Sequence, residues 1–201
     1  MAGYTDLLVL KATIGATNDA DDAALQLAID AASRMIDQYT GRTFTAETAA
    51  TKYFFPHSYT FLDLTPDIRT VTSVAVDNVG DLTFATSLAS TDYLKLPLNP
   101  LPDSGIYNAL QISAISSKVF YVGQQVKVIG DWGYVVNGYA PPVIEQACLL
   151  QASRLFKRRE SPFGILQSVD LGTYTRISTI DPDVKALVMQ YRHPSKTLVM
   201  V

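Results

Sequence analysis

The side chains able to do chemistry are few and scattered. His57 and His193 are the only histidines, and neither stands in an HxxH, HExxH or CxxC setting. A zinc site needs several nitrogen or sulfur ligands at short, regular spacing, and this sequence does not supply such a set. The one cysteine, Cys148, rules out an intrachain disulfide. It lies inside an apolar stretch, where a thiol packs as a small hydrophobe instead of acting as a nucleophile. Asp21 and Asp22 are adjacent carboxylates that could hold a metal or serve as a base. They also sit where a helix begins, and the helix dipole favours anions there, which explains them more simply. Trp132 stands in Gly130-Asp131-Trp132-Gly133, which reads as a strand-ending turn with an aromatic plug; a sugar-stacking platform is the alternative. Lys157-Arg158-Arg159 could touch phosphate, although a solvated helix end is the commoner meaning. No GxSxG, GxGxxG or Walker-type glycine loop is present. The sequence therefore assigns no catalytic, cofactor or metal residue, and the weight moves from an enzyme toward a structural role.

Composition agrees. The chain has 201 residues, 48% of them hydrophobic and 17% charged, which excludes global disorder. A net charge of −3 and a pI near 5.3 argue against a dedicated nucleic-acid binder. The charge is uneven. Residues 1–40 hold Asp6, Asp19, Asp21, Asp22, Asp30 and Asp37 against Lys11 and Arg34, while residues 141–201 lean basic. Opposite lean at the two ends suits head-to-tail contacts between copies. No run approaches the ~20 apolar residues of a membrane span, and the N-terminus lacks a signal-peptide pattern. A soluble, intracellular protein with no membrane partner is expected.

The elements that must position these residues follow from pattern. Residues 5–14 predict a short helix capped by Thr5 and ended by Gly15. Residues 18–39 predict a longer one, with Leu25, Ile29, Ala32, Ile36 and Tyr39 as its stripe and Gly41 as its terminator. From residue 43 to about residue 139 helical periodicity gives way to short β-branched and aromatic runs. Strands are expected at 51–55, 59–64, 70–77, 82–86, 93–96, 109–113 and 125–130, with a turn at 77–81. Residues 141–164 predict a helix opened by Pro141 and Pro142 and apolar around most of its circumference. Such a helix needs neighbours on nearly every side. Residues 160–180 are too apolar for a solvated loop, and 165–169 can pair with 174–177 as a hairpin. Asp181 and Pro182 open a last helix with Val184, Leu187, Val188 and Tyr191 on its apolar face. The tail, 195–201, is strand-like and either frays or adds to another sheet.

The fold class is thus α+β. A small helical core, residues 1–43 and 140–201, carries an inserted antiparallel β-sandwich or barrel-like domain, residues 44–139. The surplus apolar surface of the central helix and the loop after it marks Leu149, Phe156, Phe163, Ile165, Leu166, Leu171 and Tyr174 as candidate contacts between protomers.

Four stretches also carry a resemblance. They are Asp21-Asp22-Ala23-Ala24-Leu25 with Ala31-Ala32-Ser33 and Ile36-Asp37-Gln38-Tyr39-Thr40-Gly41-Arg42; Val128-Ile129-Gly130-Asp131-Trp132-Gly133; Pro142-Val143-Ile144-Glu145-Gln146-Ala147 running to Lys157-Arg158-Arg159; and Asp181-Pro182-Asp183-Val184 to Tyr191-Arg192. In this order, around a β insertion, they resemble the head-to-tail connector (adaptor) proteins of long-tailed double-stranded DNA bacteriophages. The resemblance implies a non-enzymatic virion protein of the phage neck, without cofactor, assembled in the host cytoplasm. It implies a closed ring of about twelve copies, as cyclic symmetry allows. The ring would dock on the portal protein, bind a stopper or tail-completion protein on its other side, and extend the channel for genomic DNA. An acidic wall suits DNA that must slide without sequence-specific binding. Lys157, Arg158 and Arg159 would face that channel or pair with a neighbour's Asp30 or Asp37. The family's C-terminal segment grips the portal, which points here to Leu198, Val199, Met200 and Val201. A stopper, a tail terminator or a carbohydrate-binding β module using Trp132 are the alternatives.

Overall fold

The computed structural model describes residues 3–100, 105–160, 165–167, 174–176 and 180–193. The chain divides into two compact units, 1–41 with 140–201 and 42–139.

The first unit is helical. Helix α1, Leu7–Ile14, is capped by the Asp6 carboxylate, which accepts from the Leu8 N–H at 2.7 Å. The cap is Asp6, one residue later than the Thr5 predicted. Gly15, at φ 73°, closes the helix in the left-handed conformation. Helix α2, Asp22–Thr40, ends the same way on Gly41, whose N–H donates to the Asp37 carbonyl. Leu25, Ala28, Ile29, Ala32, Ser33 and Ile36 are its buried side, a spacing of three and four. Helix α3, Pro142–Lys157, continues into a 3-10 turn at Arg158–Glu160. It buries Ile144, Ala147, Cys148, Gln151 and Ala152. Among the described residues these five form its fully covered side; Leu149, Leu155 and Phe156 are half-buried and Leu150 is exposed, although the sequence is apolar on nearly all sides. Helix α4, Pro182–Val188, starts on Asp181, whose carboxylate accepts from the Asp183 N–H, and turns Val184 and Val188 inward.

Polar pairs fix these helices in register. Lys11 is buried between Asp19 and Asp22, 2.6 Å from each, and ties α1 to the start of α2. Arg154 of α3 meets Asp181 at 2.7 Å, and the Gln151 side-chain oxygen accepts from the Asp181 N–H. The His193 N–H donates to the Thr40 carbonyl, joining the segment after α4 to the end of α2.

The second unit is β. Its described strands are β1 (Glu47–Phe54), β2 (Phe61–Val76), β3 (Thr86–Leu88), β4 (Tyr93–Leu96), β5 (Tyr107–Ile112) and β6 (Val126–Trp132). They form one antiparallel sheet in the order β1-β6-β2-β5-β4, with β3 paired to the end of β2. The sheet is open and does not close into a barrel; β1 and β4 are its edges. The strands predicted at 59–64 and 70–77 are one long strand. Pro66, which lacks an N–H, falls where the register of β2 against β5 shifts between Asp63 and Ile68, so the proline sits in a bulge and does not end the strand. The strand predicted at 82–86 does not form. Leu82 and Phe84 have φ of 60° and 52°, which a strand cannot accommodate, and pairing begins only at Thr86.

The core of this unit lies on one face of the sheet, with Leu62, Leu64, Ile68, Val74, Leu110, Val126 and Val128 around Trp132. Gly133, at φ 99°, ends β6, and a Cβ there would lie 1.9 Å from the Thr45 carbonyl oxygen, so only glycine fits. The turn at 77–81 is organised by Asp77, whose carboxylate accepts from the N–H groups of Val79, Gly80 and Leu82.

Three carboxylates of this unit are held below the ordinary value of 3.8. Burial pushes Asp77 up, but the backbone N–H groups of Gly80, Leu82 and Val79 outweigh it. The Thr70 hydroxyl and Ala49 N–H hold Asp131 down, and the Ser116 hydroxyl and Ala89 N–H hold Asp92 down. A depressed folded pKa stabilises the fold above the unfolded value, and that stability is lost as pH falls through the folded one. The unfolding midpoint of this unit, followed by the fluorescence of Trp132, is therefore expected to drop as pH goes below about 4. Asp77→Asn should flatten that decline; an unchanged slope would show that the Asp77 turn does not carry it.

Candidate functional site

The candidate chemistry disperses in three dimensions. His57 is exposed and His193 buried, and no group of three metal-capable side chains gathers among the described residues. Cys148 is buried on α3, its Sγ 3.4 Å from the Ser33 Oγ and 3.8 Å from the Ile29 carbonyl oxygen. Burial pushes its thiol up, away from the reactive thiolate. Trp132 is fully buried; its Nε1 donates to the Ala50 carbonyl at 2.8 Å and its ring packs on Phe54 at 5.5 Å. It has no face for a sugar, so the carbohydrate platform is withdrawn and the aromatic plug stands.

Asp21 and Asp22 part ways. Asp22 belongs to the Lys11 cluster, and Asp21 receives Arg159 through both guanidinium nitrogens, at 2.6 and 3.1 Å. The Arg159 hydrogen bond holds Asp21 below its ordinary value. Arg159 also lies over the Phe156 ring, 4.0 Å from its centre. Of the three basic residues predicted for the channel or a neighbour, Arg159 is thus taken up by its own chain, Arg158 is half-buried and Lys157 is exposed. The acidic residues expected to receive them also have partners within the chain. Asp37 pairs with Arg34 at 2.6 Å and accepts from the Tyr4 hydroxyl, and Asp30 accepts from Gln26 at 3.1 Å.

What remains is apolar surface on the helical unit. Leu149 and Phe156 of α3 are half-buried, and Leu150 beside them is 41% exposed. Leu155, Phe156 and the Asp21-paired Arg159 of the α3 side, with Ala24, Leu27, Ala28 and Ala31 of α2, line an open groove of about 240 Å³. Leu27 is 70% exposed at its rim. An apolar groove carrying a solvated leucine is the kind of surface that a partner covers. The sequence reading overlooked Leu27 because it lies off the main stripe of α2. The signal was there: Ala24, Leu27 and Ala31 recur at three and four, a second stripe of mostly small residues. Ile165, Leu166 and Tyr174 fall in β7, Ile165–Gln167, and β8, Tyr174–Arg176, which pair antiparallel in the order the hairpin required. Phe163, Leu171, Leu198, Val199, Met200 and Val201 lie outside the described residues.

No protein-family model matches the chain, and no curated protein matches it. Solved structures do. A chain from the neck of an empty gene transfer agent (GTA) particle, computed with C6 symmetry, is similar at 15% identity and a TM-score of 0.59, over 94% of this chain and 89% of that one. A chain from the virion of the native particle matches at 16% identity and TM-score 0.58, over 94% and 89%. A chain from the native neck, computed with C12 symmetry, matches at 16% and 0.56, over 94% and 91%. At such identity the likeness is one of fold: over 94% of its length this chain has the fold of a chain found in the neck of a gene transfer agent particle.

Proposed function

We propose that the protein is a structural, non-enzymatic subunit of a phage or phage-like neck, and that it forms the adaptor ring between the portal and the stopper or tail, around the DNA channel. The observation that carries this reading is the shared fold, which runs through both units and not through one alone. The apolar surface left open on α2 and α3 supports it, because a ring subunit must bury such surface against its neighbours. Net negative charge supports a wall past which DNA slides. Averaged images of virions that contain the chain test the proposal: density for it is expected as a ring on the portal axis. Its absence from virions would sink the reading, and a position at the distal end of the neck or tail would make it a stopper or terminator instead.

The tail is proposed to add as a strand to the portal, through Leu198, Val199, Met200 and Val201. Deleting these residues is expected to leave thermal unfolding unchanged and to abolish attachment to portal-bearing capsids in a pull-down. Undiminished attachment would remove that role.

A further inference from the structure

The open sheet of the β unit ends on two edges, and among the described residues β1 and β4 each pair on one side only, with β6 and β5. The N–H and C=O groups along such an edge are a template for a further strand, and chains that must stay apart guard it with outward charges or proline. The bulge in β1 lies between Glu47 and Ala50, and Thr51–Phe54 beyond it run in regular register opposite residues 129 to 126. β4 offers the same length, the four residues Tyr93–Leu96. On the face away from the core, β1 presents Thr51 and Tyr53, and β4 presents Leu94 and Leu96. Tyr53 is 55% exposed and Leu94 44%. None of the four carries a charge. The lysines of both edges alternate onto the core side, opposite Val128 and Leu110. There Lys52 meets Glu47 and lies 5.6 Å from the centre of the Trp132 ring, and Lys95 lies 4.5 Å from that of Tyr107. Both edges thus turn uncharged, partly apolar side chains to solvent on the same face.

We infer that β1 of one copy pairs with β4 of the next, so that the sheets of neighbouring copies join edge to edge. The inference rests on the ring reading above and adds a main-chain contact to it. A cyclic ring of more than two copies needs a heterologous contact, in which two different patches of one chain meet, and the unlike edges of one sheet are such a pair. Strand direction follows from the topology. β1, β2 and β4 run the same way, since β6 is antiparallel to β1 and β2, and β5 to β2 and β4. A ring of many copies turns each one only slightly from its neighbour, which keeps that direction, so the joined strands are parallel. Tyr53 and Leu94 then share a face as an aromatic–aliphatic cross-strand pair. Pairing of like edges, β1 on β1 or β4 on β4, would need a two-fold axis and would close as a dimer.

Cysteine pairing tests this in virions that carry the chain. The native Cys148 is buried and does not interfere. Thr51, Tyr53 and Leu94 are exposed and face away from the core, so replacing them leaves the protomer fold intact. Two double variants cover neighbouring registers on that face: Tyr53→Cys with Leu94→Cys, and Thr51→Cys with Leu94→Cys. Under mild oxidation at least one is expected to give a ladder of disulfide-linked multimers on non-reducing electrophoresis, and the single variants none. Particles that hold both double variants yet show only monomer would overturn the edge pairing while leaving the ring reading in place. A dimer band from any single variant would also overturn it, by revealing a contact between like edges. Absence of the wild-type chain from virions would instead remove the ring reading itself.

Discussion

Trp132→Ala is expected to cost the β unit about 3–5 kcal/mol, the range for emptying the site of a large aromatic in a packed core. The ring is fully buried between Phe54 and the long strand β2, and its indole N–H satisfies the Ala50 carbonyl on the edge strand β1. Truncation leaves both a void and a backbone acceptor without its donor, and the two losses add. For a unit of this size each kcal/mol moves the midpoint by about 4–8 °C. Denaturant unfolding followed by circular dichroism checks it. A loss under about 1 kcal/mol would mean that the sheet closes over the gap and that Trp132 is not the keystone of the core.

The second large effect separates folding from assembly on a single helix. Ile144 lies on the covered side of α3 and is fully buried. Ile144→Ala should lose about 2–5 kcal/mol of protomer stability. Leu149 sits five residues on, half-buried and away from that face. Leu149→Glu should cost the protomer under about 1 kcal/mol, as near-surface changes do, yet prevent ring formation by setting an unpaired carboxylate against a neighbour's apolar surface. Thermal unfolding and negative-stain imaging of both variants read the contrast. If Leu149→Glu unfolds the protomer as severely as Ile144→Ala, then Leu149 belongs to the core and not to an interface.

The helices were legible in the sequence because their signals are local. Gly15, Gly41, Asp181 and Pro182 mark ends by backbone chemistry, and the α2 stripe repeats over five turns. The sheet was less legible because its decisions are not local. Whether Pro66 ends a strand or sits in a bulge depends on β5, some forty residues away. Leu82 and Phe84 look like strand residues by type, but both take positive φ just past the turn that Asp77 organises, whose carboxylate accepts from the Leu82 N–H. The groove escaped notice for a different reason. Alanines at helical spacing look the same whether they pack against a neighbour in the same chain or wait for one from another copy. Arg159 shows the converse: its charge suggested an outward role, while Asp21, far off in sequence, already holds it.

The pairing of α2 with α3 has a consequence for synthesis. Ser33 meets Cys148 across 115 positions of chain, and the whole β unit is encoded between them. On the ribosome α2 emerges early with only the short α1 segment to pack against, and α3 is not yet made. Residues 42–139 come next and contain every strand of their own sheet, so the β unit can close first. The helical unit can form only when α3 is released. Birth order and folding order are therefore reversed, and for that interval α2 presents its apolar stripe to whatever is nearby, which makes it a binding site for chaperones. Limited proteolysis of chains stalled before residue 140 is expected to show a resistant β unit beside a cleavable α2.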